Sequence, residues 1–219
     1  MEITWYGHSC FRLTERNFVT VVTDPYDSRI VGYDALKLKA EIVTVSHDAP
    51  GHNYNDAVKG TTHVLTGPGE FEIGGVFITA VQTDSNKKSK DKVRNTVYVF
   101  DYDGITVAHL GDLQQILTQS EIELLGTVNV ALVPVGGGNS LNAAKAAEIV
   151  SMLEPNLVIP MHFATTESKI KLDDLNKFIK EMGLSKQEAQ TSLKVTRSSL
   201  PSETHVVVLD YQKGYSNVC

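Results

Sequence analysis

The sequence predicts one mixed α/β domain of the α+β kind, spanning residues 1–219, with two packed β-sheets and helices on the outside. Three observations lead there. The first half is a succession of short apolar or alternating segments of strand type, the second half alternates helical periodicity with short apolar strands, and the links are short throughout. A chain of this length can bury a full core in one domain, and strands followed by αβ units call for a layered architecture.

Strands are expected at 3–6 and 10–13, then at 18–23, where β-branched residues dominate. Residues 42–45, Ile-Val-Thr-Val, read as a short strand buried on both faces. Further strands fall at 63–66 and 76–81. Those at 95–102 and 105–110 flank Asp103-Gly104, a two-residue hairpin signal. Thr118-Gln119-Ser120-Glu121 is a capping box that starts a helix. A buried strand follows at 128–135. Asn142 then caps a helix over 143–153 that Pro155 stops. Residues 157–159 form another apolar strand. Leu172, Leu175, Phe178, Ile179 and Met182 recur at helical spacing, with Gly183 just past the end. A last strand is expected at 204–209.

Composition narrows the function classes. Apolar residues make up 42% and charged residues 21%, and no apolar run approaches the ~20 residues that span a bilayer. The start, Met1-Glu2-Ile3-Thr4, runs straight into a strand without a basic leader, so a soluble cytoplasmic protein with no membrane partner is expected. Cys10 and Cys219 are the only cysteines and neither sits in a Cys-x-x-Cys pair, which argues against a structural disulfide and removes thiolate zinc sites. A net charge of −6 speaks against nucleic-acid binding. The basic stretch 86–94 reads as a solvated loop, with a phosphate-contacting arm as its alternative.

The chemistry-bearing residues fall at strand ends. His47 and His52 follow the strand at 42–45. Asp112 follows the strand from 105, His162 the strand from 157, and Asp24 the strand from 18. His8 sits at a turn between the first two strands. Each alone reads as a turn or capping residue. Together they look like a site converging on one edge of a sheet core, where strands fix the backbone and loops project side chains. Gly136-Gly137-Gly138-Asn139-Ser140 reads as a left-handed turn, or as an anion site at the next helix. His63, His109 and His205 have no such companions.

The ordered set Gly7-His8-Ser9-Cys10-Phe11, Thr23-Asp24-Pro25, Ser46-His47-Asp48, His52-Asn53, Gly67-Pro68-Gly69-Glu70, His109-Leu110-Gly111-Asp112-Leu113, Val133-Pro134-Val135-Gly136-Gly137 and Ile159-Pro160-Met161-His162 resembles the metallo-β-lactamase superfamily. Within it, the branch related to L-ascorbate-6-phosphate lactonase is the most similar, and the resemblance runs from residue 2 to about 210. It implies a four-layer αββα sandwich with a two-metal site at one edge, and a turn at Gly67-Pro68-Gly69-Glu70. In an intact member one metal takes His47, a His at 49 and a His near 85. The other takes an Asp at 51, His52 and His162, and Asp112 bridges them.

This chain has Ala49, Gly51 and Ser85 at three of those positions, and Gln115 where a His is usual. No two-metal clamp forms from what is left. The expected cofactor is one zinc, or iron or manganese in its place, with His52, Asp112 and His162 as its main ligands and His47 as a further metal-site residue, or no metal at all. Three protein ligands plus water suffice for a catalytic zinc. Asp112, His47 and His8 are the candidate catalytic groups, the two histidines as proton carriers or partners of Asp112. The implied activity is hydrolysis of an ester, lactone or phosphoester. The alternative is an inactive homologue that binds a small molecule or a partner subunit. A metal-free hydrolase with His47 or His8 as base lacks any Ser or Cys nucleophile signature. A small-molecule substrate or ligand is the expected partner, and a homo-oligomer is compatible with the sequence.

Overall fold

The structure, a computed structural model, describes residues 1–83 and 94–213. Ser85, the basic stretch from 86 to 93 and Cys219 lie outside the described residues. Two sheets carry the fold. The first runs Leu193–Lys194, Glu2–Trp5, Phe11–Thr14, Val21–Thr23, Ile42–Thr44, His63–Leu65. The second runs His205–Val206, Leu157–Met161, Val130–Pro134, Ile105–His109, Asn95–Tyr102, Val76–Thr83, Gly69–Ile73.

Each sheet changes pairing sense midway. Neighbours joined by tight turns pair antiparallel, as in Glu2–Trp5 with Phe11–Thr14 and Asn95–Tyr102 with Ile105–His109. Beyond Val21–Thr23 in one sheet and Ile105–His109 in the other, pairing becomes parallel. Parallel neighbours need crossovers, and the helices Gln119–Leu125 and Ala143–Leu153 supply them in the second sheet. Parallel strands also end on the same side, where residues following them form a crevice.

The sheets pack face to face around one apolar cluster that joins Trp5, Phe11 and Ile42 to Ile78, Phe100 and Leu132. Tyr98 crosses that interface, its hydroxyl 3.1 Å from the Val45 carbonyl and 3.0 Å from that of Leu65. Ala146, Ile149 and Val150 of one helix and Phe178 and Ile179 of Leu175–Glu181 extend this cluster outside the second sheet. The outer face of the first sheet is covered differently. Val22, Val43 and Val45 pack there against Tyr26, Val31, Tyr33 and Leu38, a layer whose α-helix among the described residues is the four-residue Ser28–Val31. The αββα layering holds, with one outer layer built mostly from irregular chain. No described helix is long and apolar enough to cross a membrane.

The helix Ala143–Leu153 and the capping box at Thr118 fall where the sequence places them. The Asp103-Gly104 turn has φ of 53° and 80°, as a hairpin of this type requires. Other elements differ. The strand expected at 18–23 is only Val21–Thr23. The helix expected from 172 starts at Leu175, because the Asp174 carboxylate accepts from the Asn176 amide and caps it there. The Gly67–Glu70 turn gives way at once to an edge strand, Gly69–Ile73, with Phe71 and Ile73 against the core and Glu70 and Glu72 exposed. Outward charges of this kind guard an edge. The final segment splits into His205–Val206 and Val208–Leu209, which pair with different strands.

Candidate metal centre

His8, His47, His52, Asp112 and His162 come together in a cleft of about 320 Å³ at the ends of the parallel strands. His8 lies in the turn after Glu2–Trp5, and His47 and His52 in the loop after Ile42–Thr44, all from the first sheet. Asp112 and His162 follow Ile105–His109 and Leu157–Met161 of the second. All but His47 are buried, and its side chain is only 7% exposed. Asp112 stands at the centre. Its Oδ1 lies 3.1 Å from His162 Nε2, and its Oδ2 lies 3.7 Å from both His47 Nε2 and His52 Nε2. A second opening of about 500 Å³ beside Met1, Glu15 and Lys194 holds no comparable group of ligating atoms among the described residues.

The backbone is bent to make this cluster. His8, Asp24 and His162 have φ of 51°, 40° and 53°, a left-handed conformation uncommon outside glycine and frequent at functional sites. The His162 amide donates to the His8 carbonyl at 3.1 Å, which ties the two sheets together at the cleft. Gly111 has φ 59°, and a Cβ there would lie 2.4 Å from Asn95 Oδ1 and 2.5 Å from Ser46 Cβ. Only glycine lets Asp112 follow so closely, its amide donating to Asn95 Oδ1 at 2.9 Å.

The hydrogen-bond network assigns the tautomers of three imidazoles. His52 Nδ1 donates to Asp24 Oδ2 at 2.8 Å. The Ser46 hydroxyl donates to Asp24 at 2.6 Å, so His47 Nδ1 must be the donor in its 3.1 Å contact with Ser46 Oγ. The Ser140 hydroxyl donates to the Gly137 carbonyl at 3.0 Å, so His162 Nδ1 donates to Ser140 Oγ at 3.2 Å. Each of these three Nδ1 protons thus points outward, so in the neutral rings the Nε2 lone pairs turn towards the Asp112 carboxylate, that of His52 also meeting His8 Nε2 at 3.2 Å. Although 3.1 Å from His162, Asp112 Oδ1 has no hydrogen-bond donor among the described residues. Lone pairs facing a carboxylate repel unless a cation lies among them, and outward-anchored imidazoles are how proteins aim metal ligands. The side chains fit a divalent ion.

Protonation follows the same layout. Burial would raise the Asp24 carboxyl, but His109, His52 and the Ser46 hydrogen bond hold it at about 2. Burial lowers His8 well below the ordinary imidazole value, helped by the charges of His162 and His52. Burial also lowers His47 and His162 against the pull of Asp112. His52 alone is raised, since Asp112 and Asp24 outweigh its burial. Burial works against the Asp112 carboxyl, yet His162 and His52 keep it lowered.

All five residues singled out from the sequence meet here, but their relations differ in detail. His47 does not hydrogen-bond to Asp112; its anchor is Ser46. Asp24, which the sequence groups with the strand-end residues without a specific role, orients His52, while Ser46, Asn95 and Ser140, not singled out as site residues, position His47, Asp112 and His162. Only Asp24 left a signal, as a strand-end acid before Pro25. Ala49 and Gly51 line the cleft. Gly137 and Gly138, at φ 67° and 69°, form the left-handed turn that brings Ser140 to His162. His109 is buried and donates Nε2–H to the Ser9 carbonyl at 2.9 Å, while His63 and His205 are exposed.

Comparison with known proteins agrees with this fold. The family model for the beta-lactamase superfamily domain matches residues 2–162. A UPF0173 protein of Pyrococcus furiosus is 28% identical over 189 residues, 75% of this chain and 84% of its own length. A UPF0173 metal-dependent hydrolase of Thermococcus onnurineus is 26% identical over 198 residues, covering 75% and 85%. Among solved structures, a candidate Zn-dependent hydrolase of the metallo-beta-lactamase superfamily from Thermotoga maritima superposes with a TM-score of 0.78 at 34% identity, covering 96% of this chain and 99% of that one.

Proposed function

This chain belongs to the metallo-beta-lactamase superfamily, and on that premise we propose that it is a metal-dependent hydrolase working with one divalent ion. The observation that carries this reading is the convergence of three imidazole lone pairs on a buried carboxylate whose Oδ1 has no donor. His52, Asp112 and His162 are the ligands we assign to the ion. Zinc, iron or manganese all suit nitrogen and carboxylate donors. Such an ion supplies Lewis-acid activation of water, bringing its pKa from ~15.7 towards ~7.

The remaining work falls to the chain itself. Asp24 fixes the His52 tautomer, and Ser140 fixes that of His162. His47 stands beside the ligand Asp112, its Nε2 3.7 Å from Oδ2, and burial lowers its pKa so that it is neutral and able to accept a proton. It is our proton carrier between Asp112 and the open cleft. Lys171 lines the same cleft and offers a cation to an anionic substrate group. An ester, lactone or phosphoester fits these groups, the phosphoester making fullest use of Lys171. Ala49 and Gly51 favour a second reading, an inactive homologue that retains the fold for binding a small molecule or a subunit.

Protein purified without chelator should contain zinc, iron or manganese near one ion per chain by elemental analysis. His162→Ala should lose both the ion and any esterase or phosphodiesterase activity. A wild type without metal that also fails to take up added zinc, iron or manganese would overturn the proposal. Stoichiometric metal without turnover across ester, lactone and phosphoester panels would favour the second reading.

A further inference from the structure

Gly51 stands where the family resemblance places a carboxylate ligand, yet the space beside it is filled. A Cβ at Gly51 would lie 2.9 Å from His8 Nε2. The imidazole of His8 therefore occupies the volume into which a side chain at 51 would project. We propose that His8 is the metal ligand that takes the place of the missing carboxylate at 51, forming with His52 and His162 a three-imidazole set beside Asp112. This deepens the single-ion reading above and rests on it.

The spacing suits the role. His8 Nε2 donates to His52 Nε2 at 3.2 Å, a proton standing where an ion between the two nitrogens would replace it. Two nitrogens each ~2.0–2.1 Å from a tetrahedral ion stand about 3.3–3.4 Å apart, so these two sit at the spacing of ligands on a common ion. One ligand atom from each of His8, His52 and His162 lies within 4.8 Å of the others. The His8 turn is held rigidly, because its carbonyl accepts from Trp5 Nε1 and the His162 amide, each at 3.1 Å. That second bond fixes the backbones that carry two of the three imidazoles relative to each other before any ion binds, while His8 Nδ1 has no partner among the described residues. A backbone held in this way carries the ligand atom towards the other two, which a solvent-facing proton carrier does not require.

The exchange has a chemical consequence. Replacing a carboxylate with a neutral imidazole leaves the centre one unit more positive. A more positive centre stabilises negative charge more strongly, which favours an anionic substrate and agrees with Lys171 at the rim.

The test uses zinc titration and X-ray absorption on the full chain. Zinc-loaded wild type should show scattering from three imidazoles, and His8→Ala from two. His8→Ala should bind zinc about 100-fold more weakly or worse, since loss even of a supporting partner costs ~10–100-fold. Gly51→Asp alone should also weaken binding, its Cβ meeting His8. The double variant His8→Ala/Gly51→Asp, which gives the carboxylate room, should recover most of the affinity. Circular dichroism in chelator verifies folding, and the wild-type imidazole count needs no variant. Undiminished zinc affinity in a folded His8→Ala, or only two imidazoles in the wild type, would overturn the His8 assignment and leave the single-ion reading standing. A wild type that binds no zinc, iron or manganese would overturn that reading first, and this one with it.

Discussion

Asp24 is fully buried, yet its carboxyl is held at about 2 because Ser46 and His52 donate to it and His109 lies nearby. Its unfolded value is 3.8, so the folded pKa is depressed. Its contribution to stability is therefore present in full above about pH 4 and is lost as pH falls towards 2, an effect on the order of 2 kcal/mol. Urea unfolding of the metal-free protein should show that decline, and Asp24→Asn should flatten it while lowering stability at pH 7. The sequence places Asp24 among the strand-end groups of the site, but its work as the partner of His52 was not legible. A strand-end acid before a proline is visible in a linear chain, but the imidazole it orients is 28 residues away. The same applies to Ser140 and His162, 22 residues apart.

The strand–loop junctions are where elements become a site. Ile105–His109 delivers Asp112 only because Gly111 can adopt φ 59° against Asn95 and Ser46. Gly111→Ala should cost about 1–3 kcal/mol and weaken zinc binding, since Asp112 must shift. Gly183→Ala is the matched control. It has φ 68° with no atom within 4 Å of a built Cβ, so it should cost about 1 kcal/mol and leave zinc affinity unchanged. Thermal melts and zinc titrations of the two variants check both statements. Elements with a local signal were legible: the Thr118 capping box, the Asn142 cap and the Asp103-Gly104 turn are each written within four residues. Gly69–Ile73 and Leu193–Lys194 were not. Both are edge strands whose pairing partners, rather than their own residues, make them strands.

At the scale of the whole molecule, the cleft is a seam between the two sheets. His8, His47 and His52 come from the first sheet, and Asp112 and His162 from the second. An ion bound across that seam must stabilise the entire fold. Zinc at a hundredfold excess over its Kd should raise stability by about 2.7 kcal/mol, read as a higher Tm that chelator reverses. A Tm indifferent to zinc would mean that the two halves of the seam do not share an ion. The sequence by itself determined the layered α/β class, the central helices and the five residues that meet at the cleft, because periodicity, caps and motif order are local and survive in one dimension. Only the tertiary structure decided how those residues face one another. It placed His8 in the space beside Gly51, turned three imidazoles inward through Asp24, Ser46 and Ser140, and left Asp112 Oδ1 without a donor. These relations depend on packing between segments far apart in the chain, where a distance of 3 Å has no signature in the order of residues.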